Sequence, residues 1–339
     1  MKVLIVKLSS LGDVVHTLPV VQDVLAAFPG AQIDWVLEQS FAPVLAPVQG
    51  LHRVIPCALR RWRKSFWTSA TRAEWRAFKT DLQREAYDAV LDLQGLTKSA
   101  VVARLARLNA GGKRYAMAHR TDGSGYEAPT RWVADVPLAL PLHIHAVVRG
   151  RALAALALGY RHAPAADFGL NQALAKAKLA PTAVNNEADP APPCVALVHG
   201  TSRADKEWPL AHWVALGQRV EAAGGRVALA HGSAKELATS QAIAAQLSRA
   251  VVWPLLPLDG LTFALAGCCG VVGVDSGVSH IAVALGLPHV QIYNFDTAWR
   301  TGPDPVTSQG RQVSVFAQPT PSVDAVWQAW VAATATRTA

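Results

Sequence analysis

Nothing in this chain has the spacing that a metal centre or a disulfide framework requires. Its four cysteines, Cys57, Cys194, Cys268 and Cys269, are scattered, and the adjacent Cys268–Cys269 pair sits in an apolar stretch that reads as core. No apolar run approaches the ~18 residues needed to cross a bilayer. The short apolar stretch at the start ends in Lys7 and polar residues, which is not a signal peptide. Neither G-x-G-x-x-G nor G-x-x-x-x-G-K follows a leading strand, so the usual dinucleotide and phosphate-loop fingerprints are missing. No Asp-x-Asp occurs, and with it goes the expectation of an obligatory metal bridging a sugar-nucleotide diphosphate. There is no repeat of short period and no composition that suggests disorder: 51% of the 339 residues are hydrophobic. A soluble protein of a reducing compartment is expected.

What the chain does have is positive charge on one side of its length. Of its 32 Lys and Arg, 21 fall in residues 1–165 against 12 Asp and Glu, leaving +9, and the remainder is close to neutral at −1. Between Arg53 and Arg84 nine basic residues face two acidic ones. The N-terminal half should therefore meet an anionic partner. Arg60-Arg61-Trp62-Arg63-Lys64, with Phe66 and Trp67 close by, adds aromatics to the charge. Nucleic acid, an anionic membrane surface or a phosphorylated sugar would all fit such a segment. A merely solvated face would not need three large aromatics.

Strand-like and helix-like runs alternate along the chain, the pattern of a parallel α/β sheet. In the first half strands are predicted at Val3–Leu8, Ile33–Leu37 and Ala89–Leu93, and helices at Val14–Ala27, Ala73–Glu85, Lys98–Leu108 and Ala146–Leu158. Residues 111–145, rich in Gly, Pro, His and Arg, read largely as loop. The proline-rich segment 181–193 reads as a linker. The pattern then restarts, with strands at Val195–His199, Arg226–Ala230, Val271–Val274 and Val290–Tyr293 and helices between them. The expected division is a first domain over 1–180, a second over 194–320, and a last helix in 321–339 that packs back toward the first domain.

Two strand-to-helix junctions carry most of the chemistry. In the first, Val3-Leu4-Ile5-Val6 runs through Ser9-Ser10-Leu11-Gly12-Asp13 into a helix; in the second, Val271-Val272-Gly273-Val274 runs through Asp275-Ser276-Gly277. Ligands of open α/β sheets collect at such strand ends, where helix N-termini offer free N–H groups. Asp13 can be read as a helix cap or as a carboxylate held at the mouth of the sheet, and one residue could do both. His280, about one turn beyond Asp275, could reach back toward a ligand or serve as an ordinary buried histidine. The loop after Val198, His199-Gly200-Thr201-Ser202-Arg203-Ala204-Asp205-Lys206-Glu207-Trp208-Pro209, packs hydroxyls and two cations at a strand end. That composition suits a diphosphate. Two such junctions suggest two nucleotide-fold domains facing each other across a cleft.

Taken in order, these motifs resemble the bacterial lipopolysaccharide heptosyltransferases, glycosyltransferase family 9, and among them the type I enzymes. The stretches that carry the resemblance are Lys7–Pro19, Arg60–Lys64, Tyr87–Leu96, Thr201–Pro209 and Asp275–His280. The resemblance implies a GT-B fold, α/β with two Rossmann-like α/β/α domains. It implies inverting transfer of L-glycero-D-manno-heptose from ADP-heptose to the first Kdo of Kdo-lipid A. Asp13 would be the catalytic base. Thr201, Ser202 and Lys206 would hold the diphosphate, and Asp275, Ser276, Gly277 and His280 would complete the donor site. Glu236 takes the place of an acidic residue near the ribose. Ser10, Gly12, Arg60, Arg61, Arg63, Lys64 and Arg120 would face the acceptor. The family also implies a monomer working peripherally on the cytoplasmic face of the inner membrane. The chain departs from the family after Tyr293, where Asn294-Phe295-Asp296-Thr297 replaces the usual Gly-Pro-Thr, and over residues 119–143.

Other readings compete. A sister transferase of the same fold would use another nucleotide-sugar, and donor binding would separate the two. A basic nucleic-acid-binding protein would show a steep salt dependence with oligonucleotides. It would leave the two strand-end motifs without a purpose. A dinucleotide-dependent oxidoreductase lacks its fingerprint.

Overall fold

The computed structural model describes residues 1–170, 175, 192–304 and 307–335. Contacts divide the chain into two compact units, Met1–Gly169 and Leu170–Ala339. Of the expected linker, only 192 and 193 are among the described residues.

In the first unit β1 (Lys2–Val6) is apolar and buried from Val3 to Val6, as a strand covered on both faces must be. It pairs in parallel with β2 (Gln32–Glu38) on one side and β4 (Ala86–Asp92) on the other. With β3 (Arg53–Cys57), β5 (Arg107–Met117) and β6 (Val136–Leu138), the sheet runs β3-β2-β1-β4-β5-β6. The second unit repeats the scheme with β7 (Cys194–Val198), β8 (Arg226–Leu229), β9 (Ala250–Val252), β10 (Gly270–Val274), β11 (His289–Tyr293) and β12 (Gln312–Phe316). Its order is β12-β11-β10-β7-β8-β9. Numbered from its own first strand, each sheet is the doubly wound 3-2-1-4-5-6 arrangement. Strand order therefore reverses between β1 and β4, and again between β7 and β10.

Sequence periodicity found the central strands and missed the edges. β3, β5, β6, β9 and β12 carry partly exposed residues, so their apolar signal is thin. The segment 111–145 is largely loop, as expected, but not wholly so. It holds most of β5, a short helix at Pro129–Val133, and β6. In β5 the Gly111-Gly112 pair breaks the pattern, because the register with β4 slips there and a Cβ at Gly112 would sit 2.5 Å from the Tyr87 carbonyl oxygen.

The last helix, Val323–Ala335, is part of the second unit. Val326 and Trp330 enter the core of the second unit beside Trp208, Trp213 and Val272. Their helical spacing gives one apolar face, and that sheet is what the face covers. Among the described residues no helix is long and apolar enough to cross a membrane. All four cysteines are free, with the Cys194 and Cys268 sulfurs 3.8 Å apart.

In the first unit α1 (Leu11–Ala27) packs against the helix Ala146–Leu158 through a buried ion pair. Arg151, only 2% exposed, makes a fork to Asp23: Nε donates to Oδ2 at 2.7 Å and Nη2 to Oδ1 at 2.9 Å. The same guanidinium donates to the carbonyls of Ala163, Pro164 and Ala165, tying the end of the unit to its core. Removing one partner strands the other charge, which costs about 3–5 kcal/mol in buried sites. Arg151→Met should therefore lower the denaturant midpoint by an amount equivalent to that loss, with the slope unchanged. A change equivalent to under ~1 kcal/mol would show that Asp23 finds solvent or a new partner, contrary to its burial.

Candidate functional site

Both reversals of strand order carry chemistry. In the first unit β1 ends at Val6, in register with Asp92 at the end of β4. The chain leaving each strand is bolted to the other. Gln94 Oε1 accepts from the backbone N–H groups of Leu8 and Ser9, both at 3.0 Å. Lys7 Nζ donates to the Leu93 carbonyl at 3.0 Å, and Lys98 Nζ donates to Ser9 Oγ at 2.7 Å.

Ser10 caps α1, which places Asp13 at the third helical position rather than at the cap. The Ser10 N–H and hydroxyl both donate to Asp13 Oδ2 at 3.0 Å, the reciprocal half of a capping box. Asp13 Oδ1 lies 3.3 Å from Lys7 Nζ. The Lys7 side chain is 5% exposed and that of Asp13 is 36% exposed, so the pair points a wet carboxylate outward from a dry ammonium. Burial opposes ionisation of Asp13, yet Lys7, the two Ser10 hydrogen bonds and Arg149 together hold its carboxyl below the usual range. It is thus ionised at neutral pH. For Lys7, burial and then Arg149 outweigh Asp13 and Asp92, and its ammonium titrates lower than usual. His16, Arg149, Met117 and Leu153 join Lys7 and Asp13 around one pocket.

The basic pentad forms the helix α2 (Leu59–Ser65). Arg60, Arg61, Arg63 and Lys64 are exposed. Arg61 is already engaged, its Nη1 donating to Glu74 Oε1 at 3.0 Å and its Nη2 to Oε2. Trp62 does not rest outward with Phe66 and Trp67. It is buried against Trp75 and Phe78, and its Nε1 donates to Glu74 Oε2 at 2.7 Å. Helical spacing turns it inward while its neighbours stay out; Trp67 is 87% exposed. Arg120 is exposed beyond β5, and Gly12 lies in the first turn of α1.

In the second unit the loop after β7 meets the turn after β10. Lys206 Nζ and Asp275 Oδ2 are 2.5 Å apart, His280 Nε2 lies 3.5 Å from Asp275 Oδ1, and Thr201 Oγ1 donates to the Asp275 carbonyl at 3.4 Å. Burial disfavours charge on Asp275, but His280 and Lys206 overcome it and hold the carboxyl far below the usual range. Ser276 caps the helix Gly277–Ala284, whose first N–H groups therefore sit beside this pair. Ser202 is exposed in the loop. Glu236 accepts from the Gly232 N–H at 2.6 Å, and a Cβ at Gly200 would fall 2.8 Å from its carboxyl carbon. Each sequence-predicted donor residue thus comes from the carboxyl ends of β7, β8 and β10. Sequence reading missed His16, Lys98, Arg149 and Gln291, whose Nε2 donates to Asp275 Oδ1 at 3.5 Å. Lys98 and His16 lay inside or beside quoted motifs; Arg149 and Gln291 gave no local signal.

Comparison with known proteins matches residues 75–328 to glycosyltransferase family 9 (heptosyltransferase). The chain is 40% identical over 300 residues to lipopolysaccharide heptosyltransferase 1 of Pseudomonas aeruginosa, covering 86% of this chain and 78% of that one. It is 37% identical over 299 residues to lipopolysaccharide heptosyltransferase 1 of Escherichia coli K12, covering 86% and 88%. Its structure superposes on E. coli heptosyltransferase WaaC with ADP at a TM-score of 0.84, with 34% identity over 97% of this chain and 98% of the other. The same enzyme with ADP-2-deoxy-2-fluoro heptose gives 0.81 at 34% identity, with the same shares of both chains covered.

Asp92 ends β4, in register with Val6. It is fully buried, and burial pushes its carboxyl up to about 6 against the restraining hydrogen bonds of Gly95, Ser99 and Gln94. A carboxyl raised in the folded state destabilises above its folded pKa and is neutral below its unfolded one. Asp92→Asn should leave stability unchanged near pH 4 and raise it by roughly 3 kcal/mol near pH 8. Thermal midpoints across that range decide it, and a variant no more stable at pH 8 would rule out the charged-site penalty.

Proposed function

Because the chain belongs to glycosyltransferase family 9, we propose one reaction for it and a role for each of its units. It is an enzyme, a heptosyltransferase of lipopolysaccharide inner-core assembly that draws on ADP-heptose. The acceptor is the first Kdo of Kdo-lipid A, and transfer proceeds with inversion. The reading is carried by the two reversals of strand order, one bearing the Asp13–Lys7 pair and the other the Lys206–Asp275 pair.

The first unit supplies the base and the acceptor surface. Asp13 takes the proton of the acceptor hydroxyl while that oxygen attacks the anomeric carbon from the face opposite the leaving group. Lys7 and Ser10 keep the carboxylate ionised and aimed until then. The second unit holds the donor. As the bond from the anomeric carbon to the phosphate oxygen breaks, its electron pair stays with ADP. Lys206, the Thr201 and Ser202 hydroxyls and the N–H groups beside Ser276 and Gly277 stabilise that charge. His280 and Asp275 hold Lys206 in readiness, and Glu236 faces the ribose. These groups make an obligatory metal unnecessary. Ser10, Gly12, Arg60, Arg61, Arg63, Lys64 and Arg120 face the phosphates and carboxylates of the acceptor, and Phe66 and Trp67 meet lipid. The enzyme works as a monomer, peripherally, at the cytoplasmic face of the inner membrane.

Asp13→Asn keeps an acceptor for the Ser10 hydrogen bonds but removes the base. Turnover should fall by roughly 10²–10⁴-fold with ADP affinity unchanged; full activity in steady-state assays would make Asp13 structural. Lys206→Ala should weaken ADP by roughly 10–100-fold, since a charge-assisted contact is worth ~1.5–3 kcal/mol. Calorimetric titration with ADP, ADP-heptose and UDP-glucose tests this together with donor class. Changing Arg60, Arg63 and Lys64 to Gln should raise the acceptor KM and weaken binding to anionic vesicles while ADP affinity holds. Normal acceptor kinetics at low and high salt would show that the acceptor docks elsewhere.

A further inference from the structure

The four residues after β11, Asn294-Phe295-Asp296-Thr297, stand where the family pattern breaks, and the side chains of the first two reach the diphosphate loop. Asn294 Nδ2 donates to the carbonyl of Asp205 and to the carbonyl of Glu207, each at 3.0 Å. Those carbonyls stand on either side of Lys206. On its other face Asn294 Oδ1 accepts from Thr320 Oγ1 at 2.7 Å. A primary amide has two N–H donors, and here both grip one loop while the oxygen is anchored to another segment. The neighbouring residue contributes as well: the Arg203 guanidinium lies over the Phe295 ring, 5.9 Å from its centre.

We propose that Asn294 is a positioning residue for donor binding: it clamps the backbone on both sides of Lys206 and so fixes where the ammonium meets the diphosphate. The proposal rests on the donor assignment above. A lysine side chain is long and rotatable, so the position of its charge depends on how well its backbone is held. The loop around Lys206 is a single short 3-10 turn, Ala204–Lys206, too brief to fix itself. Two further ties reach the same segment: Trp208 Nε1 donates to the Pro321 carbonyl at 2.9 Å, at the end of the loop, and Lys235 Nζ donates to Glu207 Oε1 at 2.6 Å, an exposed side-chain contact that leaves the flanking backbone to Asn294. Ordering the loop before the donor arrives spares binding that cost.

The test is a double-mutant cycle read by calorimetric titration of the full chain with ADP. Asn294→Ala should weaken ADP by about 5–20-fold, the loss expected for two hydrogen bonds acting through one charged contact. In the Lys206→Ala background the same change should cost less than about twofold, because the group it positions is gone. Asn294→Asp keeps the size and the oxygen that accepts from Thr320, but turns a second oxygen toward two carbonyls. It should bind ADP as poorly as the alanine variant, and it serves in its place if alanine prevents folding. Acceptor KM should stay at the wild-type value throughout. A plain structural brace would instead lower the thermal midpoint and leave ADP affinity alone, or add its full penalty on top of Lys206→Ala; either result overturns the proposal. The two readings fail separately. Normal ADP binding by Lys206→Ala sinks the donor assignment itself, whereas normal binding by the Asn294 variants beside a weakened Lys206→Ala sinks only the clamp.

Discussion

A lysine ammonium buried at the end of β1 is the constraint around which the first unit's site is built. Lys7 cannot remain charged in so dry a place without partners, and it has the Leu93 carbonyl and the Asp13 carboxylate. Meeting both requires the turns after β1 and β4 to lie together, which the Gln94 amide enforces from the backbone side. Asp13 is thereby held as an ion at the rim of its pocket. The second unit inverts the arrangement: there the carboxylate of Asp275 is the dry partner and Lys206 the more exposed one. One unit ends with a presented anion and the other with a presented cation. A proton acceptor and a diphosphate ligand are what these two ions are suited to be.

How much of this was legible in the sequence depended on how fully each residue was buried. β1, β4, β7 and β10 stand next to the strand reversals and are apolar along most of their length, so they announced themselves, and with them the junctions that carry Asp13 and Asp275. Edge strands β3, β6 and β9 gave little, because a half-wet strand has half the signal. Trp62 illustrates a finer limit. It stands among four cations, and only the three-dimensional path of α2 shows that Trp75, Phe78 and Glu74 enclose it. Asn294 lies at the far limit, because its partners Asp205, Glu207 and Thr320 are remote in the chain and no local pattern links them.

The basic helix α2 combines two kinds of residue that composition alone cannot separate. Trp62 anchors it to the core, while Arg60, Arg63 and Lys64 stand in solvent. Arg61 is shared with Glu74, an exposed pair worth little in stability. Because Glu74 also accepts from Trp62, the anchor and the charged surface are joined through one carboxylate. The face offered to an anion is therefore built on a fixed base, not on a floppy run of charge.

The crowding of Gly200 by Glu236 ties two positions far apart in the sequence into a single heritable unit. While the carboxylate stays where it accepts from Gly232, any side chain at 200 collides with it. A side chain at 200 would therefore swing the Glu236 carboxylate off the Gly232 N–H. The bare position 200 is thus a record, written in the first loop of the second unit, of what stands at the start of a helix thirty-odd residues later. Losing the acid leaves the glycine free to stay, whereas losing the glycine displaces the acid.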